Sequence, residues 1–314
     1  FAPMHNLKFT SRFLLAAITG VFAVAGNVPA LASEPTGNPA VDCPALANSL
    51  LREPAWYAAD CRGYYPSRPS QVVKHAESPL VNGDPAFQLD LRANPNVFNE
   101  FALPNANAPS NAPTTTLDSF ALEHDNATGV LWAIENVTLA LGQVNKATGA
   151  FTAGPTVTGI TGNVTGLAFV DSNSTFYVSA GDGTASTIYS LDKTTGVATA
   201  IGATGTALMI DIAINNAGQM YGHDIGTDSI YSINTSTGAA TLIGPTGVLA
   251  NFAQSIDFDK STGVLYAWIY EGAGVNRFAT IDLATGTATT VSTPTNQELE
   301  GALTPVSLQS FSVD

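Results

Sequence analysis

The sequence repeats itself at a fixed interval, and this periodicity constrains the fold more than any other feature. Residues 190–205 read SLDKTTGVATAIGATG, and residues 232–247 read SINTSTGAATLIGPTG. An aromatic residue that follows an apolar one recurs at intervals of 45, 44 and 45 residues, at Trp132, Tyr177, Tyr221 and Tyr266. A period of this length indicates copies of one supersecondary unit, stacked or arranged in a ring.

Each copy has the pattern of short β-strands joined by tight turns. Segments such as 186–192, 210–214 and 229–234 are rich in β-forming residues, and Thr-Gly pairs end the same turn four times, at 148–149, 195–196, 237–238 and 285–286. No segment of 117–303 shows the sustained 3.6-residue apolar stripe of a helix. Four strands in about 45 residues are typical of one blade of a β-propeller.

The number of blades follows from the innermost strands. Five candidates are present, at 119–122, 166–169, 211–214, 255–258 and 300–303. The fifth has almost no chain behind it, whereas residues 97–113 read as an outer hairpin without an inner strand. The sequence therefore predicts an all-β, five-bladed propeller over 96–304, made of four-stranded antiparallel blades. A composite blade, with inner strands from the C-terminal end and outer strands from near 97–113, would close the ring.

Two blade sequences carry a resemblance to a known group of propellers. FYVSAGDGTASTIYSLDKTTGVATAIGATG and MYGHDIGTDSIYSINTSTGAATLIGPTG resemble the YncE- and NHL-like propellers of secreted bacterial proteins. Residues 165–196 also resemble, more weakly, the five-bladed glutaminyl cyclotransferases. Ser179 and Ala180 stand where that second family has an acidic residue, so the resemblance transfers no catalytic residue.

The N-terminal residues read as an export signal. Lys8 and Arg12 precede the apolar run 13–26 and the small-residue site Ala30-Leu31-Ala32, which predicts a signal peptide over 1–32. Fourteen apolar residues are fewer than the ~20 that cross a bilayer, so no membrane insertion is expected after cleavage. We expect a secreted bacterial protein, extracellular or at the cell surface. Residues 305–314 read as a further strand or the start of a sorting or anchor segment.

The charge balance bears on the choice of partner. The formal net charge is −14, with only 11% charged residues, and cleavage after residue 32 would remove two basic residues and leave −16. Nucleic acid is excluded as an expected partner because phosphate binding needs clustered Lys and Arg. Cations, other proteins or cell-surface components suit this balance better.

Residues 33–95 read as an appendage to the ring. Cys43 and Cys61 are its cysteines, and in an oxidising route they favour a disulfide over metal binding or a catalytic thiol. Aromatic residues surround this staple, and they serve either as a contact surface for a partner or a second copy, or as packing against the ring: Trp56, Tyr57, Tyr64 and Tyr65.

Two sets of acidic residues are candidates for a binding site. The first lies on or near the inner strands, where oxygen ligands around one axis would hold Ca²⁺, the one cofactor considered: Asp118, Asp211, Asp257 and Glu300. The second set consists of acidic residues that follow the repeated aromatic residue, together with the adjacent His223 and Asp228. It would form an acidic mouth for a cationic ligand: Glu135, Asp182, His223, Asp224, Asp228 and Glu271. The simpler interpretation of both sets is that they cap turns or face water.

These observations leave three functional hypotheses. The first is a non-enzymatic binding or structural module at the cell surface or in extracellular assemblies, which self-associates through the N-terminal arm. The second is an enzyme of the cyclotransferase or lyase kind that uses the acidic mouth. His124 and His223 are the histidines of the ring, and no GxSxG elbow accompanies them, so no catalytic residue is predicted. The third is a calcium-stabilised scaffold.

Overall fold

The computed structural model describes residues 85–170, 175–251 and 255–304. Several predictions concern residues outside these ranges and stay predictions: the signal peptide, a disulfide between Cys43 and Cys61, the contact role of Trp56, Tyr57, Tyr64 and Tyr65, and segment 305–314. Within them the chain forms strands and turns and no helix.

Twenty-one strands make up five sheets. The N-terminal strands are β1 (Pro85–Asp90), β2 (Asn96–Ala102), β3 (Pro109–Asn111) and β4 (Thr114–Thr115). Blade 1 contains β5 (Leu122–Asp125), β6 (Val130–Ile134), β7 (Ala140–Val144) and β8 (Phe151–Thr156). Blade 2 contains β9 (Asn163–Val170), β10 (Thr175–Gly181), β11 (Ser186–Leu191) and β12 (Ala198–Ala203).

The pattern continues to the C-terminal end of the ring. Blade 3 contains β13 (Met209–Ile214), β14 (Met220–Asp224), β15 (Ser229–Ile233) and β16 (Ala240–Pro245). Blade 4 contains β17 (Ser255–Asp259), β18 (Val264–Gly272), β19 (Val275–Ile281) and β20 (Ala288–Ser292). The last strand is β21 (Leu299–Leu303). In blades 1 to 4 consecutive strands pair antiparallel, as the repeat predicts.

Blade 5 is composite, as predicted. Its order is β21-β1-β2-β3, and β4 pairs with β2 beside β3, so β3 and β4 together form the outer edge. The chain ends meet where β21 pairs antiparallel with β1, which places Glu300 opposite Leu89. The fold is therefore a five-bladed β-propeller closed by a sheet built from both ends of the described chain.

The boundary of the N-terminal contribution differs from the prediction. Strand β1 lies inside the segment 33–95 that the sequence assigned to the appendage, so the blade begins at Pro85 and takes only β21 from the C-terminal end. The prolines of this region predicted a loop, but they do not interrupt the strands. Pro85 is the first residue of β1, and Pro95 lies in the turn before β2. Both faces of β1 are buried, with Phe87 and Leu89 on one and Ala86 and Gln88 on the other.

The inner strands β5, β9, β13, β17 and β21 lie beside one another in a closed circle. Four of the five predicted inner strands are confirmed, whereas the first runs over Leu122–Asp125 rather than 119–122. An apolar cluster fills each of the five interfaces between neighbouring blades. Burial of these side chains between the sheets is the main favourable term that holds the blades together.

The repeated Thr-Gly pair ends a five-residue turn that its first side chain organises. In DKTTG (192–196), Asp192 Oδ1 accepts hydrogen bonds from the backbone N–H of Thr194 and Thr195 at 2.8 and 3.3 Å. Gly196 closes the turn with φ +74°. The same closing bond, from the glycine N–H to the first carbonyl, recurs in turns that begin at Asn145, Asn234, Asp282, Asp125 and Asp259.

The turn glycine also contacts the preceding blade. A Cβ on Gly238 of blade 3 would collide with the carbonyl oxygen of Gly202 in β12, and a Cβ on Gly286 of blade 4 would collide with that of Gly244 in β16. Glycine is therefore needed on both sides of each contact. The repeated phrase supplies one glycine in the turn and one in the strand that follows it.

We expect Gly238→Ala to destabilise the protein more than Gly263→Ala. Both glycines end the same kind of turn and both have φ +76°, but no atom lies within 4 Å of the position of a Cβ at Gly263. Gly263→Ala carries only the cost of positive φ, about 1–2 kcal/mol, and Gly238→Ala adds an overpacking cost of roughly 1–3 kcal/mol. Urea unfolding of the two variants measures the difference, and equal losses would show that the contact between blades is unimportant.

Candidate functional site: the ring axis and its upper mouth

The strand directions define two faces of the ring. Because neighbouring strands are antiparallel, the start of each inner strand and the turn between second and third strands share one face, here called the upper face. The turns between first and second strands and between third and fourth strands share the lower face. The predicted mouth residues all lie at or next to upper-face turns.

Three of the predicted mouth carboxylates cap their turns. Glu135 Oε2 accepts from the backbone N–H and the hydroxyl of Thr138 at 2.7 and 2.6 Å. Asp182 Oδ1 accepts from the N–H and hydroxyl of Thr184 at 2.8 and 2.7 Å, and these hydrogen bonds lower the pKa of Asp182. Asp224 is fully buried, with Oδ2 bonded to Thr227 and Oδ1 to the N–H of Leu208 at 2.7 Å. The simpler interpretation, turn capping, describes these three residues.

Of the other three predicted mouth residues, two accept hydrogen bonds from nearby groups and one is buried without a hydrogen bond in the described part of the chain. Glu271 forms a two-point ion pair with Arg277, at 2.7 and 3.2 Å. Asp228, at φ +51°, accepts from the N–H of Ala250 at 2.9 Å. His223 is fully buried with no hydrogen-bond partner on either ring nitrogen, and this burial lowers its pKa to about 4, so the ring is neutral at pH 7.

Three of the predicted axial carboxylates come together in the core of the ring, each bonded to the next blade. Asp211 Oδ2 accepts from the N–H of Ile256 at 2.8 Å, and Asp257 Oδ2 accepts from the N–H of Leu303 at 2.7 Å. Glu300 Oε1 accepts from the N–H of Leu122 at 3.2 Å. These three residues, the axial triad, therefore link blade 3 to 4, 4 to 5 and 5 to 1. All are buried rather than facing water, and Gly166 of blade 2 leaves the space that Asp211 fills.

Burial and repulsion between neighbouring carboxylates favour the protonated forms of Asp211 and Glu300. Burial is the largest cause that raises the pKa of Asp211 and of Glu300 well above the usual range, and repulsion among the three carboxylates raises both further. Glu300 Oε2 has no hydrogen-bond partner. The axis is therefore a place where folding and proton binding are linked.

The arrangement does not match a metal centre. Asp118, the fourth residue predicted to bind Ca²⁺, precedes β5 on the upper face and accepts from Asn136 Nδ2 at 2.8 Å. Within 85–170, 175–251 and 255–304, no three His, Cys, Asp or Glu side chains are placed to hold a metal ion. Calcium binding stays a prediction for a titration to test.

The lower end of the axis is crossed by a lysine that sequence reasoning missed. Lys260, in the turn after β17, lies 3.8 Å from Glu123 of blade 1 and donates to the carbonyl oxygen of Phe169 in blade 2 at 3.3 Å. Both charged side chains are buried. The segment DFDKSTG superficially resembles a calcium loop, but its lysine places an ammonium group across the axis. Nothing in the repeat distinguishes this lysine from an exposed one.

The upper mouth contains a second group, of which the sequence analysis identified only Asp118: Asp90, Arg92, Asp118 and Glu298. Glu298 directly precedes β21, and burial raises its pKa to about 7, with Asp90 and Asp118 adding to the shift and Arg92 opposing it. Asp90 Oδ1 accepts from the backbone N–H of Arg92 and of Glu298 at 3.0 and 3.3 Å. Glu298 could have been found from the sequence, because it lies two residues before Glu300, next to a predicted inner strand. Asp90 and Arg92 could not, because the sequence analysis assigned them to the appendage 33–95.

Comparisons with known proteins add little to these contacts. No family model matches the sequence, and no curated protein matches it. Among solved structures, hydrazine synthase from Kuenenia stuttgartiensis matches with 15% identity and a TM-score of 0.39, over 57% of this chain and 49% of that one. TolB from Acinetobacter baumannii matches with 13% identity and a TM-score of 0.44, over 68% of this chain and 53% of that one.

A third match is to the PQQ-bound form of aldose sugar dehydrogenase from Streptomyces coelicolor, with 14% identity and a TM-score of 0.42, over 57% of this chain and 68% of that one. The chain spans about half the length of the hydrazine synthase and TolB chains. Since these TM-scores lie below 0.5, the propeller assignment rests on the strand pairing described above.

No helix in the described ranges is long and apolar enough to cross a membrane.

We expect Glu300→Gln to flatten the pH dependence of stability. The pKa of Glu300 is higher in the folded protein than its ordinary value of 4.5, so the stability from the neutral carboxyl is complete below pH 4.5 and is lost as the pH rises through the folded pKa. One linked proton changes the unfolding free energy by about 1.4 kcal/mol per pH unit. Gln keeps the acceptor for Leu122, so the variant should be more stable than the native protein at pH 8. Urea unfolding from pH 4 to 9 measures both slopes.

Asp211→Asn provides the contrast. Its carboxylate accepts from Ser255 Oγ and from the N–H groups of Ile212 and Ile256, so an amide N–H would face one of these donors. This variant should therefore lose stability at every pH in the same titration. An unchanged slope in Glu300→Gln would exclude Glu300 as a source of the linkage.

Proposed function

We propose that the chain is an exported, non-enzymatic β-propeller that acts as a binding module, and that its upper mouth accepts a cationic group of a partner. The observation that carries this proposal is Glu298. It is half-buried at the start of the inner strand β21, with a pKa near 7 and no side-chain hydrogen bond within the described ranges. A carboxyl that is both accessible and poorly neutralised is suited to receive a cation.

The other mouth carboxylates have less capacity for a ligand. Asp90 is bonded to the backbone on both sides of the junction between β1 and β21, and Asp118 accepts from Asn136. Arg92 is exposed, and its Nη1 lies 3.4 Å from the hydroxyl of Tyr270. The mouth group therefore contains one guanidinium and three carboxyl groups. An ammonium or guanidinium from a partner would complete the charge balance of the mouth.

The architecture supports a binding or structural role. Loops held by a rigid ring of sheets are a common platform for recognition, and the YncE- and NHL-like resemblance is to exported propellers. We place the protein outside the cell or at its surface, with proteins or cell-surface components as partners and self-association through Trp56, Tyr57, Tyr64 and Tyr65 as a further contact. Glu135, Asp182 and Asp224, which an enzyme would use at the mouth, hold their own turns instead.

We expect an N-acetylated, C-amidated tetra-lysine peptide to bind more tightly at pH 8 than at pH 6, measured by isothermal titration calorimetry at constant ionic strength. The peptide keeps its charge over this range, whereas Glu298 goes from mostly neutral to mostly ionised around its pKa of about 7. If only the ionised form binds, the affinity changes by about tenfold. Glu298→Gln should bind weakly at both values and lose this dependence.

Glu135→Gln is the matched control, because it removes one carboxylate from the same face while leaving the mouth group intact. It should bind the peptide as the native protein does. Loss of binding in Glu135→Gln but not in Glu298→Gln would move the site to the outer turns and contradict the proposal, as would the absence of any binding by the native protein at pH 8.

A further inference from the structure

The interface between blade 4 and the composite blade differs from an ordinary apolar interface by its buried amides. Asn99 in β2 is 2% exposed and Asn276 in β19 is fully buried. The Nδ2 atoms of both residues and Oδ1 of Asn276 have no hydrogen-bond partner. Each unpaired buried polar group costs about 1–3 kcal/mol, so three of them in one interface require an explanation.

The packing of the two blades places the two amides on facing surfaces. Asn99 lies two residues before Phe101, and Asn276 lies two residues before Phe278; β2 and β19 are the third strands of adjacent blades and run in the same direction. The Phe101 and Phe278 rings are in edge contact, with centroids 5.5 Å apart. Because side chains two residues apart share a face of a strand, the amides lie one step above this ring contact, on facing surfaces.

Polar contacts lie beside this position in both blades. On the axial side, Trp268 Nε1 donates to Gln88 Oε1 at 3.0 Å, and Gln88 pairs with Asn99 in the sheet. Tyr270 pairs with Asn276, and its hydroxyl receives hydrogen bonds from Arg92 Nη1 and the N–H of Gly274. The two amides are therefore flanked by polar groups of both blades, with the aromatic pair below them.

We propose that Asn99 and Asn276 form an internal water-binding site that joins blade 4 to the composite blade. Two N–H donors and one carbonyl acceptor match a water molecule, which both accepts and donates and typically makes about three bonds at a buried site. An anion would meet the Asn276 carbonyl, and a metal ion would meet two amide N–H groups. Water satisfies all three atoms without burying a charge.

The site has a structural consequence for the upper mouth. Tyr270, which lies beside Asn276, holds Arg92, and Arg92 is the cation that faces Glu298. Water that fixes the amides thus lies beneath the side chains that orient the mouth. It bonds at the same interface as the Gln88–Trp268 hydrogen bond and adds a further polar link between the two blades.

The first test needs only the native full chain. A crystal structure at about 1.5 Å should show ordered solvent within hydrogen-bond distance of both amides. Water-¹⁷O magnetic relaxation dispersion in solution should show a long-lived internal water that disappears in the Asn99→Leu/Asn276→Leu double variant. An interface that is dry in the crystal, or amides bonded directly to each other, would overturn the proposal, as would an unchanged dispersion amplitude in the double variant.

The second test is a double-mutant cycle in urea unfolding. Asn99→Leu and Asn276→Leu should each lower the folding equilibrium constant by about 5- to 150-fold, because each leaves the other amide with an incomplete partner. The double variant should lose less than the product of the two effects, since no amide is then stranded. Additive losses would contradict a shared water.

Asn216→Leu combined with Asn276→Leu is the matched control. The Asn216 amide has its own partner, the carbonyl oxygen of Lys260 at 2.6 Å, so these two effects should multiply. Coupling as strong as in the Asn99/Asn276 pair would show that the cycle reports general loosening of the ring, and the shared site would be rejected.

Discussion

The antiparallel pairing of β21 with β1 is the interaction on which the rest of the structure depends. It joins residues 86–90 to 299–303, and each of the other blades is a local meander that needs no such distant partner. Ordering so long an intervening chain carries an entropic cost, which burial on both faces of β1 offsets. The circle of inner strands, the axial triad and the upper mouth exist only because this pair closes the ring. Glu300 shows the link directly, since it lies on β21 and reaches Leu122 of blade 1.

The fold could be predicted because its information is local and repeated. The Thr-Gly turns fix where hairpins reverse, and the spacing from Trp132 to Tyr266 fixes the length of a blade. The composite blade could be inferred from two incomplete ends. Its first strand could not, because Pro85 and Pro95 gave that region the composition of a loop, while their positions at the start of β1 and in the turn before β2 leave the strand intact.

The site was less predictable, and for a different reason. Asp211, Asp257 and Glu300 could be selected because they recur on inner strands, yet their partners are backbone N–H groups of the next blade, which have no side-chain signature. Glu135 and Asp224 recur just as regularly and cap turns. Lys260 and Arg92 do not recur at all, so a search for repeated positions passes over them. What distinguishes a buried charge from a solvated one here is the packing between blades, which a single strand's pattern does not contain.

The glycine contact between blades makes the repeat unit self-complementary. Blades 2 and 3 each bring a turn glycine that fits the strand before it and a strand glycine that accepts the turn after it, as Gly202 accepts Gly238 and Gly244 accepts Gly286. A duplicated copy of this kind would therefore bring both the turn glycine and the strand glycine that its two new interfaces need. Deletion of such a copy would remove one glycine of each kind. Blade 1 departs from this rule, because its Gly149 faces the Phe98 side chain of the composite blade. Gain or loss of a whole blade is thus easiest among blades 2 to 4. The interface between blade 1 and the composite blade, at Phe98, does not have this glycine pair.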